Sequence, residues 1–382
     1  MKVFLIAGEP SGDKLGAALM AGLRQLAPDI RFDGVGGDGM EAEGLASRFS
    51  MSDLSVMGLA EVLPRAALLL RRIRQTADAI ANTAPDLVIT IDSPDFCLRV
   101  LRKARAQRPD LPVVHYVAPS VWAWRPGRAA RMAPLVDHVL ALLPFEPPYM
   151  HAAGMSCDFV GHPVVAERRA SEAEVAALQT RFSGRIILAL PGSRSGEIAR
   201  LAPRFGAALA QVLPVGAQVL VPTVTAQHAA MQRDVARWPF PAHVLRDPAE
   251  KRAAFAAAEV ALAASGTVSL ELAANATPMV IAYDVNPVSR FLAERLIKLE
   301  TVTLVNLVTE TRAVPEYLGR ACQPDRIAEG LRHLLESPDA RAAQTSAMAL
   351  AMTRLGAGGD APGLRAAQSV LRFLEGRATG RG

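Results

Sequence analysis

IILALPGSRSGE at residues 186–197 and VALAASGTVSLE at residues 260–271 follow one pattern. In each, an apolar, strand-like run leads into a turn of small residues, and the turn opens a helix-like run. Small residues after a buried strand let a tight turn present backbone N–H groups at a helix N-terminus, where an anion is stabilised. Two such turns in one half of the chain predict a site for a nucleotide diphosphate.

The second turn adds a side chain that suits a nucleotide. Glu271 lies four residues after Thr267, so both side chains share one helix face. A carboxylate there can accept two hydrogen bonds from a ribose diol, which indicates a bound nucleotide sugar. Two simpler alternatives stay open. The Ser-Gly-Thr turn at 265–267 can serve only as a helix cap, and Arg194 can be a solvated surface cation.

Composition and charge limit the class of protein. A chain of 382 residues is long for one core, which predicts two domains. The net charge of +5 and the pI near 9.4 come largely from arginine clusters, and such a surface attracts phosphates, including anionic lipid headgroups. Nucleic acid is not an expected partner, because aromatic residues make up only 5% of the chain and no nucleic-acid motif accompanies the basic residues.

Apolar runs and cysteines predict a cytoplasmic protein. No run reaches the roughly 20 residues that span a bilayer, and the N-terminus MKVFLIAGEPSGD is too short in its apolar part for a signal peptide. The three cysteines, at 97, 157 and 322, are widely separated and lack metal-ligand spacing. We therefore expect no disulfide framework, no metal site and no bound cofactor.

Strand-like and helix-like runs alternate along the whole chain, which predicts an α/β fold with doubly wound parallel sheets. The strand-like runs form two series, at 3–7, 30–35, 87–91, 113–117 and 139–143, and then at 186–190, 219–221, 243–245, 260–264 and 279–283. We predict an N-terminal domain over 1–165, a C-terminal domain over 166–350 and a helical segment over 351–382 that packs back on the first domain. Ligands of open parallel sheets bind at the carboxyl ends of the strands, so the two Rossmann-like sheets are expected to face a cleft.

A literal G-x-G-x-x-G occurs at Gly34, Gly36 and Gly39. It follows the second strand-like run rather than the first, and Asp38 places a negative charge where a pyrophosphate would lie. We therefore interpret it as an ordinary strand-to-helix turn.

Two segments combine apolar side chains with cations. They span 54–73, which ends near Arg71, Arg72 and Arg74, and 287–307, where apolar and basic residues alternate. Such segments can lie on a membrane surface. The alternative is an amphipathic helix that covers the core.

Polar groups follow three strands of the N-terminal half and are expected near a substrate. The first group contains Ser11, Gly12 and Asp13. The second begins with Asp92, directly after a strand, and a carboxylate there can take a proton from an attacking hydroxyl. The alternative for Asp92 is a helix cap or turn acid.

The third group contains two tryptophans separated by one residue. Trp122, Trp124 and Arg125 can offer an aromatic face and a cation to a sugar or acyl chain, or they can be packing residues. His115 and His162 have no neighbours with metal-ligand spacing, so we expect them to be structural.

Nine motifs together resemble the lipid-A-disaccharide synthase family, in order and across nearly the whole chain. They are GEPSGD at 8–13, SVMGLAEVL at 55–63, IDSPDF at 91–96, HYVAPSVWAWR at 115–125, LPFE at 143–146, VGHP at 160–163, LPGSR at 190–194, ASGTVSLE at 264–271 and LVNLV at 304–308. Any one of them could arise by chance, whereas the set is specific.

The resemblance implies an inverting, metal-independent GT-B glycosyltransferase of lipopolysaccharide biosynthesis. Its donor would be UDP-2,3-diacylglucosamine and its acceptor 2,3-diacylglucosamine 1-phosphate, joined in a β-1,6 linkage with release of UDP. Carried onto this sequence, Asp92 is the general base, Arg194 contacts the diphosphate, Glu271 contacts the ribose, and Asn306 lies near the donor. With no metal implied, Arg194 and the N–H groups of Ser265, Gly266 and Thr267 would stabilise departing UDP.

The resemblance also implies a location and leaves alternatives. We expect a peripheral protein on the cytoplasmic face of the inner membrane, in contact with anionic phospholipid, either as one chain or as a homodimer. Another UDP-sugar enzyme of the same fold, such as a UDP-N-acetylglucosamine 2-epimerase, would share the ribose-binding glutamate but not the motifs at 91–96 and 115–125. A non-catalytic nucleotide-sugar or lipid-binding protein would not need Asp92.

Overall fold

The computed structural model describes residues 1–54, 59–123, 127–285 and 300–379. The chain divides into two compact units. Unit 1 comprises Met1–Ala166 with Gly358–Gly382, and unit 2 comprises Glu167–Ala357. Position 350, where the predicted second domain ends, lies inside a helix of unit 2 that runs over Pro338–Arg354.

Unit 1 is built on a parallel sheet with the strand order β2-β1-β3-β4-β5-β6 in the described residues. All five residues of the third strand, LVITI, are buried, as expected where helices cover both faces of a parallel sheet. The strands are β1 (Lys2–Ala7), β2 (Arg31–Val35), β3 (Leu87–Ile91), β4 (Val113–Tyr116), β5 (His138–Ala141) and β6 (Ser156–Phe159).

The helices of unit 1 follow its strands in turn. They are α1 (Pro10–Leu26), α2 (Asp38–Ala42), α3 (Leu59–Thr83), α4 (Pro94–Gln107), α5 (Gly127–Met132) and α6 (Pro147–Ala152). Proline occupies the first turn of α1, α4 and α6, where its missing N–H costs no helical hydrogen bond. Leu15, Leu19 and Leu23 are buried on α1 at a spacing of four residues, so one face of that helix packs on the sheet.

Unit 2 has a second parallel sheet with the strand order β12-β11-β10-β7-β8-β9 in the described residues. Its strands are β7 (Ile186–Leu190), β8 (Gln218–Pro222), β9 (Ala242–Leu245), β10 (Val260–Ala263), β11 (Met279–Tyr283) and β12 (Glu316–Leu318). Its helices are α7 (Glu172–Arg181), α8 (Ser195–Leu209), α9 (His228–Val235), α10 (Pro248–Ala257), α11 (Val268–Ala274), α12 (Leu304–Thr309), α13 (Pro324–Glu336) and α14 (Pro338–Arg354).

The two sheets confirm the predicted α/β class, and the sequence missed one strand in each. The missed strands, β6 and β12, lie at sheet edges, are three or four residues long and are only partly buried. Because an edge strand needs no continuous apolar run, SCDF and EYL carry no strand signal.

The chain returns to unit 1 through its last helix, α15 (Pro362–Thr379). Gly22 of α1 and Gly363 of α15 allow close packing of these helices, because a Cβ at Gly22 would lie 2.7 Å from the Gly363 carbonyl oxygen. His138 of β5 reinforces this packing, because its Nε2 lies 2.8 Å from Ser369 Oγ and its ring stacks on Phe373. Among the described helices none is long and apolar enough to cross a membrane.

Candidate nucleotide-sugar site

A cavity of about 450 Å³ opens at the carboxyl ends of β7, β8 and β10 in unit 2. Its lining includes five residues that the sequence predicted as ligands of a nucleotide sugar, namely Arg194, Ser265, Gly266, Thr267 and Glu271. Apolar side chains from the end of β8 and from α10 complete the wall, among them Pro222, Val224 and Phe255. The cavity therefore combines the turn at 265–267, the charged side chains of Arg194 and Glu271, and an apolar wall.

The turn between β10 and α11 carries backbone N–H groups without internal partners. In the described chain, the N–H groups of Ser265, Gly266 and Thr267 donate to no carbonyl and to no side chain, whereas the amides of Ser269, Leu270 and Glu271 bond back to the turn. Gly266 has φ +129°, a conformation that L residues rarely adopt, and a Cβ there would meet no atom within 4 Å. Backbone conformation rather than crowding therefore requires glycine at this position.

Arg194 shares the cavity with an acidic residue that sequence reasoning missed. Glu197, in the first turn of α8, lies 3.5 Å from Arg194 Nη1 and accepts a hydrogen bond of 3.1 Å from the hydroxyl of Tyr283. The Arg194 side chain is 65% exposed and that of Glu197 only 13% exposed, so the carboxylate is the fixed partner. The i, i+3 spacing of the two residues in GSRSGE was the signal that could have identified the pair.

Glu271 faces the cavity with a partner from another helix. Its Oε2 lies 2.9 Å from Nζ of Lys251 on α10, and both residues line the cavity. Sequence reasoning missed Lys251 because it lies 20 residues before Glu271 and belongs to no motif. Only the tertiary fold, which brings a side chain of α10 and one of α11 to the same cavity, reveals the pair.

Asn306 is completely buried and bonded to its own unit. Its Nδ2 donates to the Val314 carbonyl at 2.9 Å and to Thr301 Oγ1 at 3.2 Å, and its Oδ1 accepts from Val314 N at 3.0 Å. Glu316 holds the same segment by accepting from the amides of Val302 and Thr303. Asn306 therefore ties two loops together, and its predicted place near the donor stays a prediction.

In unit 1, Asp92 lies at the carboxyl end of β3, as the sequence predicted from its position. Its backbone has φ +51° and that of Ser93 has φ +44°, so two consecutive L residues adopt the left-handed conformation. Non-glycine residues in this region cost free energy and occur at functional sites and turns. Asp92 Oδ1 accepts from Ser93 N at 2.8 Å, and the half-buried carboxylate keeps further acceptor capacity.

The segment with Ser11, Gly12 and Asp13 forms the first turn of α1. Ser11 is exposed, whereas Gly12 and Asp13 are buried. The Asp13 carboxylate accepts three backbone hydrogen bonds, from Gly37 N at 2.8 Å, Gly39 N at 2.9 Å and Met40 N at 3.0 Å. A pyrophosphate at the Gly34–Gly39 turn would need free N–H groups, but these groups already donate hydrogen bonds to Asp13. Substrate binding by these three residues stays a prediction.

A second buried carboxylate lies below the tryptophan loop. Glu146 is 4% exposed and accepts from Leu142 N at 3.1 Å, Leu143 N at 3.0 Å and Trp122 Nε1 at 3.3 Å. Burial raises the pKa of Glu146 to about 7, and the N–H donors oppose that rise. Sequence reasoning missed this residue. Trp124 and Arg125 lie outside the described residues.

The two histidines occupy structural positions. His115 Nδ1 lies 2.7 Å from Thr90 Oγ1, and His162 Nδ1 accepts from Val164 N at 3.2 Å. Burial lowers the pKa of each imidazole to about 4, so both are neutral at pH 7. In the described part of the chain, no group of three or more His, Cys, Asp or Glu side chains could hold a metal ion.

The apolar, basic segment at 54–73 falls largely in α3. Leu70 is 49% exposed and lines a surface groove with Arg71 and Arg74, whereas Leu69 packs partly against the core. Arg72 is bound to Asp53 at 2.6 Å and lies over the ring of Phe49. The second segment, 287–307, lies outside the described residues up to 299.

Comparison with known proteins places the chain in a family and a fold. The family model described as lipid-A-disaccharide synthetase matches residues 3–357. The lipid-A-disaccharide synthase of Ruegeria pomeroyi is 60% identical and covers 98% of this chain and 96% of that protein, and that of Rhodospirillum centenum is 47% identical over 97% and 94%.

Solved structures give the same architecture at low identity. UDP-GlcNAc 2-epimerase from Neisseria meningitidis bound to UDP-GlcNAc has a TM-score of 0.64 and 13% identity over 98% of this chain and 99% of that one. MurG from Acinetobacter baumannii has a TM-score of 0.57 and 15% identity, again over 98% and 99%. At these identities the likeness establishes the GT-B fold alone.

Proposed function

The chain belongs to the lipid-A-disaccharide synthase family, and from that premise we propose how its residues carry out the glycosyl transfer. The sugar 2,3-diacylglucosamine moves from UDP-2,3-diacylglucosamine to the 6-hydroxyl of 2,3-diacylglucosamine 1-phosphate. The products are UDP and a β-1,6-linked disaccharide 1-phosphate. A UDP-GlcNAc 2-epimerase function is not favoured, because the family match extends over residues 3–357, whereas the epimerase likeness is one of fold.

One observation carries the proposal for the donor. The cavity of unit 2 brings together Arg194, the uncommitted amides at 265–267 and Glu271, which come from the ends of different strands. A nucleoside diphosphate needs anion donors and a ribose acceptor a few ångströms apart, and this cavity supplies both. Glu271 accepts from the ribose hydroxyls, the amides and Arg194 bind the diphosphate, and the apolar wall covers the base.

Asp92 acts on the acceptor as the general base. Its carboxylate takes the proton of the 6-hydroxyl while that oxygen attacks the anomeric carbon of the donor sugar. The new C–O bond forms as the bond from the anomeric carbon to the UDP oxygen breaks, and the configuration inverts. Arg194 and the turn amides stabilise the negative charge that develops on the UDP oxygen. The left-handed backbone at Asp92 and Ser93 fixes where the carboxylate points.

Membrane contact belongs to the same proposal. Both substrates carry acyl chains, so the protein has to collect them from a lipid surface. The exposed Leu70, next to Arg71 and Arg74, gives α3 an apolar side chain flanked by cations that attract anionic headgroups. We place the protein at the cytoplasmic face of the inner membrane as a peripheral protein. A homodimer also stays a prediction. Measuring the molecular mass of the protein in solution tests it.

Mass spectrometry of the products tests the reaction. Purified protein is incubated with UDP-2,3-diacylglucosamine and 2,3-diacylglucosamine 1-phosphate, together and separately. A tetraacylated disaccharide phosphate should form only when both are present. Its absence from a folded sample that binds UDP would overturn the proposal.

Asp92→Asn tests the general base. The kcat of this variant should be lower by a factor of about 10² to 10⁴, while its affinity for UDP stays at the wild-type value. Asp95→Asn is the matched control, because Asp95 is an exposed acid in the same motif. Turnover by Asp92→Asn at the wild-type rate would remove Asp92 from the mechanism.

Leu70→Ser tests the membrane contact. It should reduce sedimentation with vesicles that contain phosphatidylglycerol, and UDP binding should not change. Leu350→Ser in α14 is the control, because Leu350 is 41% exposed and lies in unit 2. Leu69 is left unchanged, since it packs partly against the core and its replacement would destabilise unit 1. Equal vesicle binding by both variants would contradict a role for α3.

A further inference from the structure

Two ion pairs, each of a basic and an acidic side chain, line the cavity of unit 2. Arg194 pairs with Glu197, and Lys251 pairs with Glu271. The two pairs differ in how they form. Arg194 is the residue before α8 and Glu197 lies in the first turn of that helix, whereas Lys251 and Glu271 are brought together from α10 and α11. The second pair therefore depends on the tertiary fold of unit 2.

Lys251 is held by the structure of α10. Asp247 caps this helix by accepting from Ala249 N at 2.7 Å and Glu250 N at 3.1 Å. Phe255, one turn after Lys251, is buried, and its ring centroid lies 5.3 Å from Nζ. The ammonium group thus has two partners, the Phe255 ring and the Glu271 carboxylate, on a side chain that is 40% exposed.

The pairing leaves the rest of the Glu271 carboxylate available. Lys251 approaches Oε2, and among the described residues no side chain or amide donates to Oε1. An ionised carboxylate has about four acceptor positions, so a ribose diol can bind Glu271 while Lys251 stays in contact. Lys251 also offsets the negative charge of Glu271, which otherwise repels the diphosphate of the nucleotide.

We propose that Lys251 is a positioning residue for the nucleotide, acting through Glu271: it holds the carboxylate in the orientation that accepts the ribose hydroxyls. The inference rests on the proposed function, because it takes Glu271 as the ribose ligand. It assigns to Lys251 no contact with the phosphates and no step in the transfer. The alternative is a direct bond from Lys251 to a phosphate, which is possible because Lys251 also lines the cavity.

A double-mutant cycle separates the two roles. UDP affinity is measured by calorimetry on the full-length chain for wild type, Lys251→Met, Glu271→Gln and the double variant. Lys251→Met should weaken UDP binding about fivefold, and the same change should have no effect in the Glu271→Gln background. Lys251→Arg, which keeps the charge, should recover most of the affinity. Arg252→Met is the matched control, because Arg252 is the next residue of α10 and pairs with Glu174 instead.

A second ligand gives a readout that a purely structural role would not move. The ratio of the affinities for UDP and 2′-deoxy-UDP should fall in Lys251→Met, because the lost contact is one to the ribose. An equal loss for both nucleotides, persisting in the Glu271→Gln background, would overturn the proposal and favour a phosphate contact. Wild-type affinity in Lys251→Met would also overturn it.

The same measurements distinguish failure of this inference from failure of the ribose site itself. If Glu271→Gln discriminates UDP from 2′-deoxy-UDP as wild type does, Glu271 is not the ribose ligand and the donor site proposed above is wrong. If Glu271→Gln loses that discrimination while Lys251→Met keeps it, only the role of Lys251 is wrong. Melting curves of all variants check that the fold of unit 2 is intact.

Discussion

Two strand-to-helix turns, one in each unit, differ in what their backbone N–H groups bind. In unit 1, the turn at 36–40 donates three N–H groups to the carboxylate of Asp13. In unit 2, the N–H groups at 265–267 have no acceptor in the described residues and face a cavity. One turn is filled by a carboxylate of the protein itself, whereas the amides of the other have no acceptor among the described residues.

Glycine is required in the two turns for different physical reasons. A Cβ at Gly37 or at Gly39 would lie 2.9 Å from Asp13 Oδ2, so both positions exclude side chains to admit the carboxylate. At Gly266 the space is open and only the backbone conformation requires glycine. A glycine-rich turn is therefore a phosphate site only if no side chain of the protein already fills it.

The largest effect on UDP binding within this comparison is expected from filling the open turn with a carboxylate. Ser265→Asp places an acid beside the amides at 265–267, where it can accept their N–H groups as Asp13 does in unit 1. UDP affinity should fall about 100-fold, because the new charge both occupies the donors and repels the diphosphate. Calorimetry with UDP measures the change.

Ser265→Asn is the control for shape without charge. Its loss of affinity should be much smaller than that of Ser265→Asp. Equal losses in the two variants would show that the turn does not bind the anionic part of the nucleotide.

Removing the Asp13 carboxylate from the turn in unit 1 should affect the stability of the protein rather than its binding of UDP. Asp13→Ala leaves three amides without their acceptor, which should lower the free energy of unfolding by roughly 4 kcal/mol, at about 1 to 3 kcal/mol for each buried donor. UDP affinity should not change. Urea unfolding measures the effect, with Asp38→Ala as the control because Asp38 is exposed in the same turn. Loss of UDP binding in folded Asp13→Ala would contradict the comparison.

Glu146 gives a smaller, pH-dependent effect in unit 1. Its pKa in the folded state is about 7, above the value of 4.5 for an ordinary glutamate. The folded state then binds the proton more tightly, so this contribution to stability is fully present below pH 4.5 and is lost as the pH rises through 7. The difference in unfolding free energy between wild type and Glu146→Gln should fall by roughly 3 kcal/mol across that window.

Urea unfolding at several pH values measures this difference. Because Glu146→Gln cannot titrate, the comparison isolates this group from other ionisations. A constant difference between pH 4 and pH 8 would show that Glu146 has an ordinary pKa in the folded protein.

The sequence predicted most of the fold and several residues of the candidate site. Continuous apolar runs such as LVITI mark buried parallel strands, and small-residue turns after them mark the carboxyl ends where ligands bind. These turns predicted five residues that line the cavity, namely Arg194, Ser265, Gly266, Thr267 and Glu271. The edge strands β6 and β12 could not be found, because SCDF and EYL are only three or four residues long and lack a continuous apolar run.

The partners of the predicted residues were not predictable from local patterns. Lys251 meets Glu271 across two helices, and Asp13 meets the Gly34–Gly39 turn from more than 20 residues away. The sequence showed Asp38 as the acid beside that turn, whereas Asp38 is exposed and Asp13 accepts the hydrogen bonds. Which acid fills a turn depends on the packing of α1 against α2, and no spacing rule contains that information.

Hydrogen exchange of the full-length protein, with and without UDP, tests the contrast between the two turns most directly. Peptides that cover 264–268 should exchange more slowly when UDP is bound, because the amides at 265–267 gain acceptors. Peptides that cover 36–40 should be protected already and should not change. Protection by UDP at 36–40 with none at 264–268 would contradict the assignment of the nucleotide site to unit 2.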